Sequence, residues 1–227
     1  MGTLSVVATP IGNLGDITLR ALDTLREADA IACEDTRVTA KLLSRYDIRK
    51  PLLIYHAQSG KLAADRILTQ LAEGKRIALV TDAGTPGISD PGSMLVAEVK
   101  ARLGNDVRIE AIPGPSALTA ALSIAGIPVH EFIFLGFLPH KKGRQTMFKE
   151  IEESERTVVF YESPHRIEKA LESLAGILDN ERRIVVLREL TKIHESVVEG
   201  SARSVADHFK ANPTTVRGEF VVCVTAK

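Results

Sequence analysis

Ten short apolar runs, most of them separated by stretches of helical periodicity, limit this chain to a small set of architectures. In the first half the runs fall at residues 4–8, 30–33, 52–55, 77–80 and 107–111, and the stretches between them carry apolar residues at helical spacing, as at Leu19, Leu22 and Leu25 or at Ile67, Leu68 and Leu71. Strict alternation of this kind builds a largely parallel sheet. A Pro- and Gly-rich stretch between residues 113 and 128 encloses a short apolar helix over 117–125. Strands then resume at 132–137, 157–161, 184–188, 194–199 and 220–225, with helices near 142–153, 168–178 and 204–210. Two strands in succession, at 184–188 and 194–199, predict a mixed second sheet. The expected fold class is therefore α/β in two domains: residues 1–115 with a mostly parallel sheet, and 116–227 with a mixed one, entered through a linker helix over about 116–128.

Composition sets the outer bounds. With 44% hydrophobic and 26% charged residues in 227, the chain can bury one large core or two modest ones. No apolar run approaches the roughly 20 residues that span a bilayer, and the start MGTLSVVATP has no basic region ahead of its apolar stretch, so a cytoplasmic protein without a membrane partner is expected. Cys33 and Cys223 lie in apolar runs without CxxC spacing and read as buried core thiols. The 29 basic and 29 acidic residues cancel, so no global field draws the protein onto nucleic acid, DNA included. The one dense basic patch, His140-Lys141-Lys142-Gly143-Arg144 with Lys149 beyond it, reads on charge alone as a solvated loop and helix start.

Three loops follow first-half strands and share one character. TPIGNLGD follows the first, TDAGTPGISDPG at residues 81–92 the fourth, and PGPS at 113–116 the fifth. Three glycines and two prolines in twelve residues make the second of these a shaped loop, longer than the two to six residues a connector of this kind needs. It carries Asp82, Thr85, Ser89 and Asp90 at the strand edge where open α/β sheets bind ligands. Simple turn and capping roles account for Asp16 or Thr18, for Ser116, and for Glu34 or Asp35. Three such loops together predict a polar small-molecule site.

Absent motifs narrow the ligand. No two glycines stand two positions apart, which rules out GxGxxG, and GxxxxGK[ST], HExxH and GxSxG are missing. The histidines at 56, 130, 140, 165, 194 and 208 have no metal-ligand spacing, so no metal site is expected.

Eight segments, namely TPIGNLGDIT, AIACEDTR, TDAGTPGISDPG, IPGPSA, FLGFLP, FYESPHR, RELTK and GEFVV, resemble the tetrapyrrole methylase superfamily, in order and over nearly the whole chain. They are most similar to its branch that methylates a cytidine ribose 2′-hydroxyl in small-subunit (16S) ribosomal RNA. The resemblance implies two α/β domains with S-adenosylmethionine in a cleft between them, in a homodimer, with small-subunit ribosomal RNA as partner. It implies cofactor contacts from Asp82, Ala83, Gly84, Thr85, Ile88, Ser116 and Ala117, and from Tyr161, Leu190, Gly218 and Glu219 in the second domain. Glu34, Asp35, Glu162 and Lys192 are the candidates to orient or accept the hydroxyl proton. Pro10, Asn13, Arg37 and Arg166 are the candidate substrate contacts, the two arginines suiting phosphate. Arg188 with Glu189 has the alternative of an interdomain ion pair. The chain departs from a His- and Glu-rich segment of the family in reading YHAQSG at 55–60. Alternatives are methylation of a tetrapyrrole carbon, or S-adenosylmethionine binding without catalysis.

Overall fold

Strand β1 (Gly2–Val7) pairs in parallel with both β4 (Arg76–Leu79) and β5 (Val107–Ile112), so the first strand of the chain lies inside its sheet. With β2 (Ala30–Cys33) and β3 (Leu52–Ile54) the order is β3-β2-β4-β1-β5, all parallel. The computed structural model describes residues 1–227 and divides into two units, Met1–Ser116 and Ala117–Lys227.

Helices cover both faces of this first sheet, which is why its strands read as continuous apolar runs. Helices α1 (Leu19–Glu27) and α2 (Thr36–Arg45) pack Leu22, Leu25, Leu42 and Leu43 against Val7, Ile31 and Val80. On the other face α3 (Gly60–Ala72) and α4 (Gly92–Leu103) pack Ile67, Leu71, Leu95 and Val99 against Leu4 and Ile77. Two helix starts are set by side chains: Thr18 accepts from the Ala21 amide, and Asp35 from the Arg37 amide.

The second unit opens with α5 (Ala117–Ile124) and holds a mixed sheet. Its strands are β6 (Phe132–Phe137), β7 (Thr157–Glu162), β8 (Arg183–Arg188), β9 (Ser196–Ser201) and β10 (Phe220–Val224), in the order β6-β7-β10-β8-β9. Only β6 and β7 are parallel neighbours. Helices α6 (Arg144–Glu153), α7 (Ile167–Ile177) and α8 (Ala202–Ala211) cover one face, with Phe148, Leu171 and Phe209 packed on Phe160 and Phe220. All ten predicted strands are present. Strand β9 begins two residues later than its apolar pattern suggests, because the His194 carbonyl accepts from the Arg188 guanidinium at 2.9 Å and the Glu195 carboxylate takes the Thr191 amide at 2.5 Å, which hold both residues in the turn. Cys33 and Cys223 are buried thiols, and burial pushes Cys223 up to about 12. No helix is long and apolar enough to cross a membrane.

One buried cation ties this unit together. Arg182 is 4% exposed and donates from Nη1 to the Ile151 and Glu152 carbonyls at 3.0 and 2.7 Å, and from Nε and Nη2 to the Thr225 carbonyl at 3.0 and 2.5 Å. The first two belong to the last turn of α6, where carbonyls lack intrahelical partners. Arg182→Met leaves the Glu152 and Thr225 carbonyls without this donor and the Ile151 carbonyl with only the long 3.4 Å bond from the Ser154 amide, and is expected to cost about 3 kcal/mol. Urea unfolding checks this as a lower midpoint at unchanged slope. A loss under about 1 kcal/mol would mean that water satisfies the carbonyls.

Candidate functional site

Adjacent strands β1 and β4 send their connections to opposite faces of the first sheet, β1 to α1 and β4 to α4. That divergence opens a crevice at their C-terminal ends, the usual ligand position in such sheets. The loops leaving the two strands are joined across it. Thr9 and Gly84 form a two-residue bridge, with amide-to-carbonyl distances of 2.9 and 3.1 Å, and the buried Thr9 hydroxyl donates to the Thr81 carbonyl at 3.1 Å. The third loop closes on the second through the Thr85 hydroxyl, which donates to the Pro115 carbonyl at 3.1 Å. All three predicted loops therefore meet in the first unit.

Backbone geometry shapes the longest of them. Gly84 has φ +86°, and a Cβ there would stand 3.4 Å from the Ile11 side chain and 3.8 Å from the Pro115 carbonyl. Ala83 and Ile88 beside it are exposed, whereas Thr81 and Pro86 are buried. Asp90 is spent within the loop, its carboxylate accepting from the Gly87 and Gly92 amides at 2.7 to 2.9 Å. Ser89 has φ +68°, a conformation that strains any residue with a Cβ. Ser116 ends the third loop and Ala117 begins α5. In the first loop Pro10 is buried, and Asn13 accepts from the Gly15 amide at 3.0 Å. The Asp16 Oδ2 atom is buried without a hydrogen-bond partner.

Three carboxylates gather at the ends of β2 and β4. Glu34 accepts a hydrogen bond from the Thr81 hydroxyl and pairs with no cation. Asp82 takes the Asp35 amide at 3.1 Å; partial desolvation pushes its carboxyl up despite that bond. Hydrogen bonds from Arg37 hold Asp35 down at about 2, and the exposed Arg37 guanidinium lies 2.6 Å from it. Asp35 is thus both cap and ion-pair partner.

In the second unit Glu162 is 1% exposed and fully committed: Arg144 reaches Oε2 at 2.9 Å and Arg166 reaches Oε1 at 2.7 Å. Tyr161, at the same strand end, is pushed up to about 12 by burial, against a backbone hydrogen bond from Leu118. The segment from Arg188 to Lys192 is strained, with φ +53° at Glu189 and +68° at Thr191. Gly218 makes its fold possible, since a Cβ there would fall 2.2 Å from the Glu189 carboxyl carbon. Lys192 bridges Glu189 Oε1 at 2.7 Å and Glu219 Oε2 at 2.9 Å; these bonds raise its ammonium although burial opposes the charge. Leu190 between them is buried. Arg188 donates to the carbonyls of Thr215 and His194, while Glu189 takes Lys192, so the anticipated Arg188–Glu189 pair is replaced by contacts inside the second unit. The sequence placed Arg144 in a solvated basic patch and gave Thr9 and Thr81 no role of their own; their roles come from pairing across the fold.

The model of the family described as Tetrapyrrole (Corrin/Porphyrin) Methylases matches residues 3–206. The chain belongs to the tetrapyrrole methylase family. Among tetrapyrrole methylase relatives, it is 46% identical over 97% of its length to a Mesorhizobium japonicum protein named ribosomal RNA small subunit methyltransferase I, covering 74% of that protein. A Thermotoga maritima protein of the same name is 43% identical, with each chain covered in full. Solved tetrapyrrole methylase-like structures share the fold at lower identity. The methyltransferase CobJ superposes with TM-score 0.72 at 22% identity, covering 100% of this chain and 95% of that one. Uroporphyrin-III C-methyl transferase from Thermus thermophilus, complexed with S-adenyl homocysteine, gives 0.65 at 19%, covering 99% and 97%.

Proposed function

We propose that this protein transfers a methyl group from S-adenosylmethionine to the 2′-hydroxyl of a cytidine in small-subunit ribosomal RNA. The observation that carries the reading is the 43–46% identity, across nearly the full chain, to relatives named for small-subunit ribosomal RNA methylation. The two solved methyltransferases compared above match only at 19–22%, a likeness of fold. By the same family resemblance the working form is a cytoplasmic homodimer.

The crevice of the first unit fits the cofactor's chemistry. A zwitterion bearing a sulfonium needs backbone hydrogen-bonding groups at close range and tolerates a nearby carboxylate. The exposed Ala83 and the Asp82 carboxylate supply these, with the left-handed Gly84, joined to Thr9, shaping the loop and Thr85, Ile88, Ser116 and Ala117 bordering it. In the second unit Tyr161, Leu190, Gly218 and Glu219 are the proposed contacts. When bound, S-adenosylmethionine supplies a methyl group on a positive sulfonium, an electrophile that needs no metal for activation. Of the four candidate substrate contacts, Pro10, Asn13 and Arg37 remain the proposed RNA contacts, while Arg166 is committed to Glu162 and the Leu138 carbonyl.

The protein's remaining task is to align the ribose hydroxyl and take its proton. Three of the four candidate groups are already engaged. Lys192 keeps its proton between two carboxylates, Asp35 is held by Arg37, and Glu162 is buried under two guanidiniums. Glu34 has no cation and lies at the end of β2, so we assign proton acceptance to it and leave Glu162 as a structural anchor.

Labelled S-adenosylmethionine incubated with small ribosomal subunits lacking the modification, followed by nucleoside mass spectrometry, tests the reading. The expected product is 2′-O-methylcytidine at one site. No transfer, with cofactor binding intact, overturns it.

A further inference from the structure

The turn between β6 and α6 is built to hold an aromatic ring and a set of cations rigidly in solvent. Phe134 pairs with Val159 and Phe137 with Tyr161, so two residues of β6, Leu135 and Gly136, stand opposite the single Phe160 of β7. The extra residue is accommodated where Gly136 takes φ +63°. A bulge of this kind re-aims the side chain that follows it. In a regular strand Phe134 and Phe137 would face opposite sides; here both rings meet Tyr161 edge-on, at 4.9 and 5.4 Å between centroids. Phe137 nonetheless remains 53% exposed.

The segment that follows is clamped from below. Arg166 donates to the Leu138 carbonyl at 2.8 Å and Arg144 to the Pro139 carbonyl at 3.1 Å, and both are pinned by buried Glu162. His140, Lys141 and Lys142 follow directly, all exposed. Charge alone made this patch a solvated loop, but two guanidiniums bound to consecutive carbonyls and a bulge-aimed ring are more than a solvated loop requires. An exposed ring whose position is fixed offers a face for stacking, and adjacent exposed lysines offer positive charge; single-stranded nucleic acid uses the two together.

We propose that the turn from Phe137 to Lys142 is an RNA-docking element, with Phe137 stacking on an unpaired base and Lys141 and Lys142 neutralising the flanking phosphates. This rests on the RNA reading above and names a contact point for that substrate. The buried carboxylate then acts as a positioning residue for the turn.

The test measures binding of the full chain to small ribosomal subunits lacking the modification, across a salt series, alongside S-adenosylmethionine affinity and oligomeric state. Phe137→Ala is expected to weaken RNA binding about tenfold, with Phe137→Tyr restoring it. Lys141→Ala/Lys142→Ala is expected to lower the slope of log affinity against log salt by roughly 1.4. Cofactor affinity stays at the wild-type value in all three. Unchanged RNA binding overturns the docking element. So does a loss of cofactor affinity in Phe137→Ala, which would place the ring against the cofactor, or a dimer that dissociates in that variant, which would place it against a second copy. Wild-type protein that binds subunits but transfers no methyl group sinks the reaction reading and leaves the docking element standing.

Discussion

Glu162→Gln is expected to destabilise the second unit by about 3 to 5 kcal/mol, although the substitution keeps the side chain's shape. Glu162 is the only carboxylate paired with Arg144 and Arg166, and both guanidiniums are more than four-fifths buried. Removing the negative charge leaves two cations confined with no anion, and the new amide NH2 group faces a guanidinium. The carboxylate also accepts from the Ser163 amide at 2.9 Å, so the start of the turn into α7 loosens with it. Thermal unfolding checks this as a fall of more than about 10 °C in Tm. The result separates two roles that FYESPHR leaves open in sequence. A proton acceptor changed to Gln loses turnover while its melting temperature holds. An anchor loses stability, and activity falls with the folded fraction and with the loosened turn that Arg144 and Arg166 hold.

The converse outcome is expected for Glu34→Gln: kcat/KM falls about 100-fold while melting temperature and S-adenosylmethionine affinity stay near wild type. Glutamine's carbonyl still accepts from the Thr81 hydroxyl, so the contact that Glu34 makes in the fold survives. What disappears is the capacity to take a proton. Steady-state methyl transfer at saturating cofactor reads the effect. A kcat/KM within about threefold of wild type would assign Glu34 to holding Thr81 and leave the hydroxyl proton to solvent.

The two glutamates show where sequence reading stops. Glu34 directly follows β2 and Glu162 ends β7, and in sequence both offer a carboxylate at a strand's C-terminal edge. Glu162 is distinguished by Arg144, 18 residues earlier, and only the parallel pairing of β6 with β7 brings that arginine over it. Strand positions were legible because strands covered on both faces are apolar throughout, and the meeting of the three loops followed from their shared sheet edge. The order β3-β2-β4-β1-β5 was not legible, since uniformly apolar strands carry no mark of their neighbours. Nor was the bulge: Gly136 reads as one more glycine in FLGFLP until the register shows two residues opposite one. Thr18 and Asp35 did take the capping roles their residue types favour.

The interior position of β1 carries a cost during synthesis. Of the strands in its sheet it is the first to be synthesised, yet its partners begin at Arg76 and Val107. At translation speeds of about 5–20 residues per second, the apolar segment from Gly2 to Val7 waits several seconds for its first neighbour and longer for its second. Until then its unpaired backbone is open to pairing with another nascent chain, and the first unit cannot close its sheet before Ile112 has emerged.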